Sequence, residues 1–401
     1  MPPDIRKSYE CLPAFSARFW TWLTGKPGIH QHAIFVPGPL MFAAAALVTF
    51  FIGIGLSGYA VASWSGWSPL LVGLGWACVV NASRRLVSTV NHQCIHGRFS
   101  GSRKTDRLVS NAIALLTLTD TPGQYRHEHF SLHHRDDVFT SSRDPAAAFL
   151  GAIGIVPGTP VRTLWRRLLV ALVSPRFHMR FLLGRLRSQM TMNERGWRLG
   201  FLLFMGGLII AASQSPGAAV IICVAYLVPI TILYQNSVLL EFVSEHAWFI
   251  PAPITTRSGI IHATHSWGRF CGRATPERQV FATPGGYYLA WLAWGLEHLC
   301  YHLPVRLLIL PGDLPQHDFH HRNPATPEWT NATYARASDA ACVKPGWPPY
   351  SEFWGLHCAI GHVFAQLAQL KTSASESEGA GIEQGASRDG QKRRAFVNDR
   401  R

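Results

Sequence analysis

Apolar residues in this chain gather in long uncharged runs rather than at the alternating spacing of a half-buried strand. Pro39 to Ala62 carries no charge over 24 residues, and a run of roughly 20 apolar residues is what a helix needs to cross the hydrocarbon core of a bilayer. Ser68 to Ala82 adds a second uncharged stretch after a short Ser/Trp/Gly link, so the two read as one hairpin. Leu199 to Ser213 and Gly217 to Tyr234 form another pair, joined by the turn-forming Gln214-Ser215-Pro216. The pattern predicts an all-α, multi-pass membrane protein with about four transmembrane helices, near 39–62, 68–83, 199–213 and 217–234. Buried helices of a soluble protein are the competing reading, disfavoured because two closely spaced uncharged pairs are hard to hide in soluble cores. Residues 84–198 and 235–370 are polar and amphipathic, and two crossings between them place both on one side as a helical cap.

Flanking segments complete the organisation. Residues 1–38 mix charge, proline and aromatics without the pattern of a cleavable signal, which makes the first span an uncleaved anchor of a membrane domain over 39–370. Residues 371–401 are rich in Ser, Gly, Glu and Arg and are expected to be a disordered tail.

Charge then orients the hairpins. Both tips lack Lys and Arg, whereas Arg84, Arg85, Arg98, Arg103, Lys104, Arg107, Arg126, Arg135 and Arg143 crowd the segment between the hairpins. The positive-inside rule puts that segment in the cytoplasm, at the inner membrane if the chain is bacterial. The formal net charge of +14 fits basic residues facing an anionic leaflet, or attraction for an activated substrate's phosphates or acidic carrier. The basic residues flank membrane spans and no nucleic-acid module appears, so nucleic acid is not an expected partner. Eight cysteines form no CxxC pair, and reduced thiols are expected.

The chemistry-bearing signal is histidine. The 19 histidines concentrate in His92-Gln-Cys-Ile-His96, His129-Phe-Ser-Leu-His133-His134 and His317-Asp-Phe-His320-His321. Chance would give one HxxHH pattern in roughly 0.04 of such chains, so three related patterns are not accident. On a helix, residues three or four apart share a face, so each cluster is expected to point its imidazoles at one place. Neutral imidazole suits iron, zinc, copper and nickel. Eight imidazoles exceed the four ligands of one structural zinc, which implies two metals. Two irons suit oxygen activation against a C–H bond, and two hydrolytic zincs remain open at this point.

The order HxxxH, HxxxHH, HxxHH, with hydrophobic hairpins between the boxes, resembles the membrane fatty acid desaturase and hydroxylase superfamily over roughly residues 39–325. The resemblance implies that His92, His96, His129, His133, His134, His317, His320 and His321 bind two iron ions, with O2 as co-substrate. A further ligand usually follows the last span, and Glu245-His246 resembles the pair found there in related alkane monooxygenases, which favours His246. His262, His265, His298 and His302 are its rivals, and His127 is expected in a supporting or surface role. Glu128, Asp136, Asp137, Glu245 and Asp318 lie beside the clusters and could hold the far ring nitrogens. No catalytic residue beyond the metal ligands is expected.

The activity that the resemblance implies is introduction of a double bond into a fatty acyl chain, presented as lipid, coenzyme A ester or carrier-protein ester. Hydroxylation or monooxygenation of an alkyl or acyl chain is the alternative on the same scaffold. Cysteines for an iron–sulfur cluster and a dinucleotide fingerprint are both missing, so an external electron donor such as a ferredoxin is expected. Gly53-Ile-Gly55-Leu-Ser-Gly58 matches GxGxxG, but inside an uncharged span it reads as helix packing. The sequons at Asn81 and Asn331 fall at or on the predicted cytoplasmic side and are not expected to be glycosylated. A zinc hydrolase is disfavoured because HExxH is absent. A histidine-rich transporter or haem cytochrome would place its histidines within the spans.

Overall fold

The computed structural model describes residues 4–191, 195–250, 259–342 and 344–370; the predicted tail lies outside them. The described residues are mostly helical. Its described strands are two short segments, Gly268–Phe270 and Glu352–Trp354, paired in parallel.

Four helices are long and apolar enough to cross a membrane: Pro39–Ala62, Ser68–Ile95, Gly196–Ser213 and Pro216–Glu245. The first begins with Pro39 at its first turn, where a missing N–H costs nothing. Its Leu40, Met41, Val48, Phe51 and Ile52 face outward, the expected surface for lipid. It packs on the second span at Gly53 and Gly75. A Cβ on Gly75 would meet the Ser57 hydroxyl and stand 2.6 Å from the Gly53 carbonyl, so only glycine permits this approach. Gly53 of the GxGxxG string is thus a packing residue inside a helix. The third span is peripheral, with 6% of its apolar window buried.

The second and fourth spans outrun the predicted segments. At about 1.5 Å per residue, the 28 residues of Ser68–Ile95 and the 30 of Pro216–Glu245 reach about 42 and 45 Å, against a hydrocarbon core of about 30 Å. Both are longer than the hydrocarbon core needs, and their ends lead directly into the first histidine box and the Glu245-His246 pair. The sequence pattern places the ends of these helices at residues 83 and 234, where the uncharged runs meet Arg84 and the polar Gln235. Burial against the cap lets them continue.

Both long helices contain wide turns bonded i→i+5, at Arg85–Asn91, Ile222–Leu227 and Pro229–Leu233. Such turns are uncommon and tend to mark functional sites. Pro229 cannot donate a backbone hydrogen bond, and the wide turn absorbs that loss.

The cap is built around Trp248, Trp267, Leu239, Val243, Phe364 and Leu367. It holds more apolar surface than its polar composition suggested. Val161–Val173, Pro175–Thr191 and Pro284–Glu297 expose Leu169, Val173, Met179, Leu183, Leu289, Leu292 and Leu296. The last of these continues through His298–His302 to Val305–Ile309. Glu297, His298, His302 and Arg306 interrupt its apolar run, which hid it from the hydropathy pattern.

Candidate metal centre

Each histidine box is placed by a different local device. His92 and His96 lie in the final turn of the second span, and their Nε2 atoms are 3.1 Å apart. The second box follows a short helix, Pro122–Arg126, which starts with Pro122 and is capped by the Thr121 hydroxyl accepting from the Gln124 amide. That helix opens into a wide turn over His127–His133. The third box is an ordinary helical segment, His317–Arg322.

These devices sort the imidazoles into two abutting groups. His92, His96, His129, His134 and His320 bring their ring nitrogens within 4.8 Å of one another, and His133, His246, His317 and His321 do the same. The His133 ring lies 5.7 Å from both His129 and His134, so the groups are neighbours. A third combination, His134, His262 and His321, borrows one ring from each.

The expectation that every box aims at one place is therefore corrected. In the second box the wide turn brings residues five apart onto one face: the His134 amide donates to the His129 carbonyl at 2.8 Å, and the two Nε2 atoms are also 2.8 Å apart. His133, four residues from His129, turns to the other group. In the third box His317 and His321 share a face, with Nε2 atoms 3.1 Å apart, while His320 reaches across to His92 at 3.1 Å.

The donor set fits a metal. Nitrogens held at about 2.1 Å from one ion stand about 3.0 Å apart when they subtend a right angle and about 3.4 Å apart in a tetrahedron. The first group's Nε2 neighbours are separated by 3.1, 3.1, 3.0 and 2.8 Å. That spacing, with five donors, suits a five- or six-coordinate ion better than tetrahedral zinc. In the second group, the His246 Nε2 is fully buried without a hydrogen-bond partner.

Electrostatics keep the donors available. Burial, reinforced by neighbouring rings, holds His129, His134, His246, His320 and His321 well below the ordinary imidazole range. Burial likewise brings His96 down to about 4 and His317 to about 3. These rings are neutral near pH 7, the form that ligates metals.

Several far ring nitrogens are fixed by groups that sequence reading did not single out. Asp144, fully buried, accepts from His133 Nδ1 at 2.9 Å and from the Thr140 amide at 3.1 Å, and its other oxygen caps the helix Pro145–Ala152 through the Ala146 amide. Burial opposes ionisation of Asp144, but His133 and these amides outweigh it and hold the carboxyl below its usual range. The Ser266 hydroxyl pairs with His246 Nδ1 at 3.0 Å across an antiparallel bridge between these two residues. The Ser88 carbonyl stands 3.3 Å from His92 Nδ1.

The expected supporting carboxylates divide. Glu245 presents its oxygens 4.0 Å from His246 Nε2 and 3.9 Å from His317 Nε2, and Asp136 stands 3.3 Å from His262 Nδ1. Asp318 instead forms a two-pronged pair with Arg336, buried on both sides. Asp137 is exposed and paired with Arg135 and Arg143, and Glu128 accepts from Gln124 on the cavity rim. Of the rival ligands, His265 bonds Thr140, His298 bonds Tyr9 and His302 faces Glu297; these three and His127 belong to none of the groups. Beneath the centre, Glu241 is clamped by Arg84 and Arg269, each at 3.0 Å.

A cavity of about 280 Å³ opens onto both groups through His92, His129, His133 and His317. It continues between Phe149, Phe181, Val238 and Phe242, with Tyr125, Tyr234 and Arg185 also in its wall.

Four apolar helices, with two abutting groups of mostly buried imidazoles that could each hold a metal ion, define a helical membrane protein with a histidine-rich candidate metal site. A family model described as "Fatty acid desaturase" matches residues 65–354, which include all three boxes and most of the membrane domain. The chain belongs to the fatty acid desaturase family, within the membrane desaturase and hydroxylase superfamily. No individually curated protein matches it significantly.

Proposed function

We propose that this protein is an O2-dependent di-iron desaturase that introduces a double bond into a fatty acyl chain. The observation that carries the reading is the meeting of a five-imidazole and a four-imidazole group at one buried cavity beside the membrane. Family membership supports a fatty acyl substrate and an oxidoreductase activity. In this reading His92, His96, His129, His134 and His320 hold one iron, and His133, His246, His317 and His321 hold the other. The bound irons supply the power to activate dioxygen against an unreactive C–H bond.

The protein's own residues do the rest. Asp144, Ser266 and the Ser88 carbonyl fix ring orientation, so the lone pairs converge before any metal arrives. Phe149, Phe181, Val238 and Phe242 take up the acyl chain and keep water from the reacting carbons. Glu241, neutralised by Arg84 and Arg269, ties the end of the fourth span to the strand at Gly268–Phe270. Electrons come from an external carrier such as a ferredoxin. The basic segment between the hairpins supports a cytoplasmic orientation for the centre, at an inner membrane if the source is bacterial.

The test is product analysis. Cells expressing the wild type, supplied with saturated acyl chains, are expected to accumulate monounsaturated species absent with His320→Ala plus His321→Ala. Hydroxylated chains in place of alkenes would reassign the protein to the hydroxylase branch. Unchanged lipid and hydrocarbon profiles under iron-replete conditions with a competent electron donor would refute the assignment.

A further inference from the structure

A second cavity, of about 340 Å³, shares no lining residue with the metal cavity. The second span separates them: Arg84, Ser88 and His92 face the first, whereas Asn81 and Arg85 face the second. Two cations line this second space. Arg306, 6% exposed, donates only to main-chain carbonyls, those of Trp22 at 2.7 Å, Gly312 at 3.1 Å and Leu310. Arg85 lies with its guanidinium 4.6 Å from the centre of the Phe42 ring. Among the described residues no carboxylate comes within ion-pair distance of either. One acid, Asp313, lines the cavity. It accepts from the Thr89 hydroxyl at 2.5 Å, and burial pushes it up to about 6. Two guanidinium groups against one carboxylate leave the cavity with surplus positive charge, and the buried Arg306 in particular is favoured by an anion that answers it.

Position narrows the anion. Phe42 lies one turn inside the first span, so the cavity sits at the membrane boundary on the side of the metal centre. Trp22, 43% exposed, stands at its rim as interfacial tryptophans do. Basic pockets between transmembrane helices at this depth suit lipid head groups, and the guanidinium fork matches phosphate oxygens. We propose that this cavity binds the phosphate of an anionic membrane phospholipid between Arg85 and Arg306, with Thr330 and Thr333 beside it and the acyl chains running along the first span. Because the cavity shares no lining residue with the metal cavity, the lipid is a structural ligand that ties the N-terminal segment to the first two spans, not a substrate.

Thermal unfolding of the full-length protein in detergent tests this, with additions of phosphatidylglycerol, inorganic phosphate or coenzyme A at equal phosphate concentration. Phosphatidylglycerol is expected to raise the midpoint of the wild type and of Arg98→Gln by several degrees, a gain lost in Arg85→Gln and in Thr333→Glu, which keeps both arginines but adds a negative charge. Inorganic phosphate and coenzyme A should do neither. Native mass spectrometry should find a retained lipid in the wild type and not in these two variants. Equal lipid responses in wild type and both variants, or none in the wild type, would overturn the site. A shift with coenzyme A or inorganic phosphate as large as the lipid's and dependent on Arg85 would overturn the lipid assignment in favour of a soluble phosphate ester.

Discussion

His133 and His134 are neighbours in the chain, yet their rings enter different groups, and the reason lies in what holds each ring. His133 is pulled by Asp144, a residue eleven positions away, whose carboxylate was invisible as a partner because nothing in the sequence places it against that ring. Asp144→Asn is expected to lower metal affinity of the four-imidazole group about 10- to 100-fold, as loss of such partners does elsewhere; competition with a calibrated chelator measures it, and unchanged affinity would remove Asp144 from the account. Asp318 makes the contrasting case. Its place inside the third box suggested an imidazole partner, whereas it is bound to Arg336 and fixes the box through the cap. Asp318→Ala leaves a buried arginine with the half-buried Glu352 as its one remaining carboxylate partner, beside the Ser351 carbonyl. A stability loss of about 3–5 kcal/mol is expected in denaturant titration, with the metal spectrum of the surviving folded fraction unchanged.

At the scale of elements, box spacing was legible and box geometry was not. The four-residue intervals announce shared faces only if every box is α-helical, and the wide turn over His127–His133 replaces i→i+4 with i→i+5. Backbone hydrogen-bond register leaves no mark in a single sequence, so this sorting had no signal to be found by. It gives a clear expectation: His134→Ala should weaken one metal position and His133→Ala the other. Mössbauer spectra of iron-loaded variants should lose different components, and identical spectra would contradict the sorting. The hairpin contact has its own test. Gly75→Ala would force a methyl group against Ser57 and Gly53; overpacking costs about 1–3 kcal/mol, visible as a lowered unfolding midpoint in detergent.

For the whole molecule, the sequence conveyed the class of fold because uncharged runs have few explanations other than a bilayer. It did not convey where the long helices end, since the polar residues that seemed to stop them are buried under the cap. Nor did it reveal the apolar faces of the cap helices, whose charged residues break the runs that hydropathy detects. The assembled centre also has a collective acid response. In the unfolded chain its histidines take up protons near the ordinary 6.5, whereas in the fold His96 and His262 do so at about 4 and His317 at about 3. The unfolded state therefore binds more protons in between, and stability present above about pH 6.5 is lost as pH falls towards these values. Chelator-treated protein is expected to show a falling unfolding midpoint between pH 7 and pH 4.5; a flat profile would mean that these rings are not buried neutral.

The central claim is that the paired imidazole groups hold two irons, and elemental analysis of detergent-purified protein meets it most directly, comparing wild type with His320→Ala plus His321→Ala, which removes one ligand from each group. About two irons per chain in the wild type, lost in the double variant, is the expected result. Zinc at the same stoichiometry, or no bound metal after iron-replete expression, would contradict the account.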